Sequence, residues 1–242
     1  MAASLQSKVA VDTSGGEGIG LAAAKRLAAD GAAGFITGRR QAVRDKAVAE
    51  IGGDVVAVQA DVSKPADLDR LYEAVRASKG KLDILLANAG VQAKEALGSI
   101  TEEALDNQLA VNFKGTTIFT VPPALPPLSE GGSIIQLYST AAVKGLSTRT
   151  VYSATKAAPE LKGRCIRVNV PSTGLIETPA QKASLADENC CLGIQCERNR
   201  CGSVGACGPA RGDGEIVAFL ASDACIYING ADIQADGGFA QV

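Results

Sequence analysis

Histidine is absent from all 242 residues, so proton transfer near neutral pH, the usual work of an imidazole, falls to another side chain. The same absence argues against zinc. Of seven cysteines, Cys190, Cys191, Cys196, Cys201 and Cys207 crowd one segment, without the paired C-x-x-C spacing or the histidine such a site uses. No metal is expected, and the thiols read as free. No stretch approaches the roughly 18 apolar residues of a membrane helix, and residues 1–10 lack a basic region followed by an apolar run and a cleavage site. A soluble cytoplasmic protein is the expectation. An excess of one charge is missing too: 24 basic and 26 acidic residues leave a net charge of −2, and their scatter leaves no footprint for nucleic acid or a membrane surface. The expected ligand is a small molecule.

What the chain does have is apolar bulk. At 46% hydrophobic and 21% charged residues, it can bury one sizeable core, and residues 1–242 read as a single domain. Short β-rich runs at 8–11, 34–37, 54–60, 82–87, 133–138, 165–170 and 231–234 alternate with amphipathic segments at 19–30, 40–51, 65–79, 101–121, 153–161 and 213–221. That alternation is the pattern of βαβ units around a parallel sheet, an α/β fold. Between 179 and 209 the apolar periodicity fades, and this segment reads as a substrate lobe or lid.

The first predicted strand leads through "TSGGEGIG" (13–20) into a helix. Glycines there let the backbone approach a pyrophosphate, while free N–H groups and the helix dipole attract it. Glu17 is an awkward neighbour for phosphate, and its carboxylate is expected to face solvent. A site for NAD carries an acid about 20 residues on, at the end of the second strand. Here "ITGRR" places Gly38, Arg39 and Arg40 there. A guanidinium suits a 2′-phosphate, each charged hydrogen bond contributing ~1.5–3 kcal/mol, so NADP(H) is the preferred carrier and NAD(H) the second.

"YSATK" sets Tyr152 and Lys156 four apart, on one face if the segment is helical. A phenol near pKa ~10 is a poor base at neutral pH, but an adjacent ammonium favours the phenolate and lowers it. Such a pair can trade protons without histidine.

The glycine turn, "ADVS" (60–63), "LANAG" (86–90), "VNFKG" (111–115), "STAA" (139–142), "YSATK", "IRVN" (166–169) and "GADIQADGG" (230–238) occur in one order. Together they resemble the short-chain dehydrogenase/reductase family over nearly the whole chain. The resemblance implies a Rossmann-like sheet of seven strands with helices on both faces. It places Ser14, Gly18, Ile19 and Gly20 at the pyrophosphate, Asp61 and Val62 at the adenine, and Asn88, Ala89 and Gly90 along the cofactor cleft. Gly174, Ile176 and Thr178 would approach the nicotinamide. Asn112, Ser139, Tyr152 and Lys156 fall at the family's catalytic tetrad. In it, Tyr152 is the acid or base, Lys156 also holds the ribose, Ser139 donates to the reacting oxygen, and Asn112 interrupts its helix to place a water. The implied function is hydride transfer between NADP(H) and a small or medium ketone or secondary alcohol, in a homotetramer. A 3-oxoacyl thioester reductase and a non-catalytic dinucleotide sensor are the alternatives.

Several stretches depart from the family pattern. Ser14 stands where the first turn glycine belongs, and a positive φ there would cost serine about 1 kcal/mol or more unless Gly15 and Gly16 absorb it. Ile166 follows Lys156 by only ten positions, shortening a helix that relatives use in assembly. Pro122, Pro123, Pro126 and Pro127 should end or kink the Asn112 helix near Val121. The usual Pro-Gly after the sixth strand reads Thr173-Gly174, and residues 208–223 look like a shortened final helix.

Overall fold

The computed structural model describes residues 4–93, 96, 98–142, 165–185 and 207–240. Seven parallel strands form one sheet: β1 (Val9–Asp12), β2 (Ala33–Gly38), β3 (Val55–Gln59), β4 (Leu82–Ala87), β5 (Leu128–Gln136), β7 (Arg167–Thr173) and β10 (Asp232–Ala235). Their order across the sheet is β10-β7-β5-β4-β1-β2-β3, and the two-residue β6 (Tyr138–Ser139) adds to β7. A second pair, β8 (Ile176–Glu177) with β9 (Gly208–Pro209), lies outside it. The seven expected strands are all present, with ends shifted by a few residues. The largest shift is at β5, which begins at Leu128 because the register slips between Leu82 and Ile84 and accommodates the Ser129–Glu130–Gly131–Gly132 run.

The chain runs β1 to β3 toward one edge and then returns to place β4 beside β1 on the other side. This reversal opens a crevice at the carboxyl ends of β1 and β4, where open α/β sheets bind ligands.

Alternation along the strands sorts the core into two layers. Val9 and Val11 point into a cluster with Leu68, Leu71, Tyr72 and Val75 of α3 (Pro65–Lys79). Ala10 points the other way, into a cluster with Ala23 and Leu27 of α1 (Gly18–Ala29) and Val217 and Leu220 of the last helix, Ala210–Ala221. Asp12 shares the face of Ala10 and lines a small cavity with Ala24, Leu27, Ala28 and Ile36. Helix stops fall where glycine can take positive φ: Gly52 (φ 69°) closes α2 (Gln41–Ile51) and Gly80 (φ 71°) closes α3.

The expected helix at 101–121 takes a different form. It starts as α4 (Glu102–Gln108), capped by Thr101, whose hydroxyl accepts from the Ala104 N–H at 3.2 Å, and widens into a π-helical stretch, Leu109–Phe119. Regular winding stops at Thr120, one residue before the expected kink, and α5 (Val121–Ala124) holds Pro122 and Pro123 in its first turn, where their missing N–H groups cost least. The Tyr72 hydroxyl donates to the Thr120 carbonyl at 2.7 Å and secures this break. Helices α6 (Pro179–Leu185) and α7 (Ala210–Ala221) complete the described set. Buried Arg167 caps α7 by donating to the carbonyls of Leu220 and Ser222 at 2.8 and 3.3 Å. The expected helix at 153–161 and the 186–206 part of the suggested lid, with four of its five clustered cysteines, lie outside the described residues.

Candidate active site

The glycine turn hangs from β1 by a buried threonine. The Thr13 hydroxyl donates to the Leu86 carbonyl (3.4 Å) and accepts the N–H groups of Asn88 (3.1 Å) and Ala89 (3.4 Å), joining the end of β1 to the end of β4. The next residue, Ser14, has φ 110°. The strain anticipated at this position is therefore carried by the serine itself; Gly15 and Gly16 are not in the left-handed region. The Ser14 carbonyl accepts from Asn88 Nδ2 at 3.3 Å, and the same nitrogen donates to Asp12 Oδ1 at 3.3 Å.

Two glycines are required by close approach. A Cβ on Gly20 would lie 2.3 Å from the Ser14 oxygen and 2.4 Å from Asn88 Nδ2, so α1 can begin this near the turn only without a side chain there. Gly18, at φ 61°, would meet Thr178 at 3.2 Å, which places the start of α6 against the glycine turn. The first turn of α1 has no side-chain cap, leaving N–H groups for an anion at its positive end.

Glu17 keeps its carboxylate at the solvent-facing rim, as expected, but not alone there. It forms an ion pair with Arg40, the Arg40 side chain exposed and that of Glu17 partly so. Arg39 is exposed and makes no ion pair among the described residues. Arg44, unremarked in the sequence, is buried and donates to the Gly38 carbonyl at 2.7 Å, fixing the backbone just before Arg39. On the adenine side, the Asp61 carboxylate accepts the backbone N–H (3.0 Å) and hydroxyl (2.7 Å) of Ser63, and Val62 is buried.

Around Asn112 the α-winding gives way to the π-helical stretch, so the interruption expected there takes the form of a wider winding and not of a break. The Asn112 amide is 2% exposed and bonded to Val91 in both directions, Nδ2 to the carbonyl and the backbone N–H to Oδ1, each at 2.8 Å. Thr116 donates to the Ala89 carbonyl at 2.6 Å. The π-helical stretch is thus clamped to residues 89–91, the far wall of the crevice. Ser139 is half-buried on β6, in register with Thr173, and its hydroxyl accepts the Ala141 N–H at 3.2 Å. That leaves its proton to donate elsewhere. Gly174 is pressed against Asp236, 2.7 Å from a built Cβ to Cα, and Ile176 is buried on β8. Ser14, Gly18, Gly20, Asn88 and Thr178 are therefore joined by contacts at one end of the crevice, and Asn112 holds its wall.

Tyr152 and Lys156 lie outside the described residues, but the other three of the chain's four tyrosines can be weighed. Burial pushes the Tyr72 phenol up and lifts Tyr138 to about 12. Tyr227 stands fully exposed after α7. None of these three suits neutral proton transfer in the crevice.

Sequence reasoning overlooked Asp12. It is 3% exposed, its Oδ2 has no hydrogen-bond partner among the described residues, and burial raises its pKa to about 7 against the opposing Asn88 hydrogen bond. The signal was present in "VAVD": an acid at an inward position of a buried strand.

A family profile described as Enoyl-(Acyl carrier protein) reductase matches residues 14–240. The chain belongs to the short-chain dehydrogenase/reductase family. It is 41% identical to Oxidoreductase asL5 of Sarocladium schorii over 98% of both chains. It is 33% identical to a probable tetrahydroxynaphthalene reductase of Zymoseptoria tritici, covering 96% of this chain and 94% of that one. Among solved structures, a short chain dehydrogenase from Burkholderia cenocepacia in complex with NADP superposes with a TM-score of 0.87 at 32% identity, over 99% of this chain and all of that one. This short-chain dehydrogenase/reductase is an oxidoreductase with the seven-stranded Rossmann-like sheet that its motifs imply. A dinucleotide fits the residues present: an uncapped helix N-terminus, glycines where a side chain would block close approach, and the neighbouring Arg39 guanidinium, which makes no ion pair among the described residues.

Proposed function

We propose that the protein is an NADP(H)-preferring carbonyl reductase or alcohol dehydrogenase acting on a small or medium ketone or secondary alcohol. The observation that carries the reading is the convergence of the Ser14–Gly20 turn, Asn88 and Thr178 at the carboxyl edge of the sheet, the edge on which Ser139 also ends β6. Bound there, the nicotinamide carrier supplies or accepts hydride. Ser139 orients the substrate oxygen, using the hydroxyl proton not engaged with Ala141. Tyr152 gives a proton to that oxygen in reduction or removes it in oxidation, with Lys156 lowering the cost of the phenolate. Asn112 shapes the wall through Val91. The preference for NADP(H) rests on Arg39 and is supported by the NADP complex of the Burkholderia structure. Reduction is the favoured direction in this reading because the family profile and the Zymoseptoria relative are both named reductases. A homotetramer remains part of it on family grounds, and a cytoplasmic location and a substrate lobe or lid at 179–209 on the sequence pattern.

The profile's name favours one second reading, a reductase of carrier-bound acyl thioesters. A ketone panel and an acyl thioester, each followed at the absorbance of the reduced nicotinamide, separate the two. Under either, Tyr152→Phe lowers turnover by ~10²–10⁴-fold while leaving NADPH binding in place. Turnover that survives this substitution removes the proposed chemistry, and binding without turnover by the unsubstituted protein assigns a dinucleotide sensor.

A further inference from the structure

Asp12 is an expensive residue for its position. It sits on the inward face of a buried strand, one oxygen unpartnered among the described residues, beside Ala24, Leu27 and Ile36 in an apolar layer. An aliphatic side chain would serve β1 better there. Two residues on, Ser14 holds a backbone conformation that glycine takes freely and serine does not, at φ 110°. The Asn88 side chain links these two anomalies. Its Nδ2 carries two hydrogens and donates one to Asp12 Oδ1 and one to the Ser14 carbonyl, each at 3.3 Å. The backbone N–H of Asn88 is held separately by Thr13, so the Asp12 bond sets the rotation of the amide.

We propose that Asp12 is a positioning residue for the dinucleotide turn: by orienting the Asn88 amide it holds Ser14 in the left-handed conformation from which the turn meets a pyrophosphate. Oδ1 accepts equally as a carboxylate or as the carbonyl oxygen of a neutral acid, so the device works in either protonation state. Geometry leaves little slack for another solution. The Ser14 carbonyl and Asn88 Nδ2 already occupy the space that a Cβ on Gly20 would need, and the side chain of Ile36 lies 2.6 Å from a Cβ built on Gly15. The turn cannot re-form with other side chains filling the gap. A serine in the strained position and an acid in the buried one are thus two halves of one arrangement.

The inference rests on the dinucleotide reading for its ligand and on the turn alone for its mechanism, so the test uses both. Asp12→Val removes the acceptor and the buried acid together. Its melting temperature should hold or rise, while its dissociation constant for NADPH increases about tenfold. Asp12→Asn, which keeps a carbonyl oxygen at Oδ1, should restore binding to within about twofold. In the Ser14→Gly background, Asp12→Val should change the constant less than about twofold, because glycine needs no support at that φ. Equal losses with Ser14 and with Ser14→Gly overturn the proposal. If Asp12→Val does not fold, Asp12→Ala with and without Ser14→Gly makes the same comparison. Hydrogen exchange at residues 15–18 in the ligand-free protein gives a readout independent of the cofactor. Asp12→Val should speed it only when Ser14 is present, and unchanged exchange overturns the proposal even if NADPH never binds. Failure of the unsubstituted protein to bind NADPH or NADH, with the exchange effect intact, sinks the dinucleotide reading instead.

Discussion

Within the layer that α1 and α7 form against the sheet, Asp12 and Asp213 are 3% and 2% exposed, and three of their four carboxyl oxygens lack a hydrogen-bond partner among the described residues. At the rim above β2 the charges of Glu17, Arg39 and Arg40 stand in water, with Glu17 and Arg40 paired. The contrast separates two uses of charge. A carboxyl buried away from water resists ionisation, so it writes itself into the stability of the fold. A charge at the rim costs little to keep there and contributes little to folding, but it can choose between ligands that differ by one phosphate.

The buried side should give the larger effect. Burial raises both acids from 3.8 to about 7. Between about pH 4 and 7 the folded chain therefore holds protons that the unfolded chain has released, and stability falls as pH rises through that window. Below it the contribution is fully present. The drop is on the order of 4 kcal/mol per group. Asp67 is shifted the other way, held low by the Asp61 N–H and Arg70, so it weakens the fold only as pH falls below the ordinary carboxylate range. Urea unfolding at pH 5 and pH 7.5 should show the greater stability at pH 5, and Asp213→Asn should remove about half of the difference. A flat profile would mean that water reaches these carboxyls.

On the rim, Arg39→Ala should weaken NADPH binding by ~1.5–3 kcal/mol, roughly ten- to a hundredfold, and leave NADH nearly unchanged. Titrating both nucleotides against the variant reads the ratio directly. Equal losses for the two would place the 2′-phosphate away from Arg39.

The same division explains what could be read from the chain alone. Apolar runs and their glycine stops placed the seven strands, because alternation and burial are local signals. The ordered motifs, through the family they resemble, pointed to Ser14 and Asn88, which lie just past the ends of β1 and β4, and to Ser139, which ends β6. Pairings between distant residues were not legible. Nothing near Asp12 in sequence announces Asn88, 76 positions away, and nothing in "TSGGEGIG" says that Glu17 turns to Arg40. At Asn112 an interrupted helix was legible but its form was not: a π-helical stretch adds a residue to the winding, and backbone hydrogen-bond spacing leaves no composition signature. The prolines that follow were readable because they exclude an N–H outright.

The Glu17–Arg40 pair offers the finest test of the contrast. The pair lies at the surface, its Arg40 and Glu17 side chains 67% and 40% exposed, so it is worth ~0.2–1 kcal/mol at most. In the proposed complex, however, its carboxylate lies on the glycine turn, where negative charge opposes a pyrophosphate, and it occupies a guanidinium one residue from Arg39. Glu17→Gln removes the repulsion and releases Arg40 at once. NADPH affinity should rise about two- to fivefold at low ionic strength, with a smaller gain for NADH, which lacks the 2′-phosphate. The gain should fade near 1 M salt, where the screening length shortens to ~3 Å. A loss of affinity on the same substitution would instead mean that the ion pair braces the turn, and Glu17 would then belong with Asp12 on the structural side of the division.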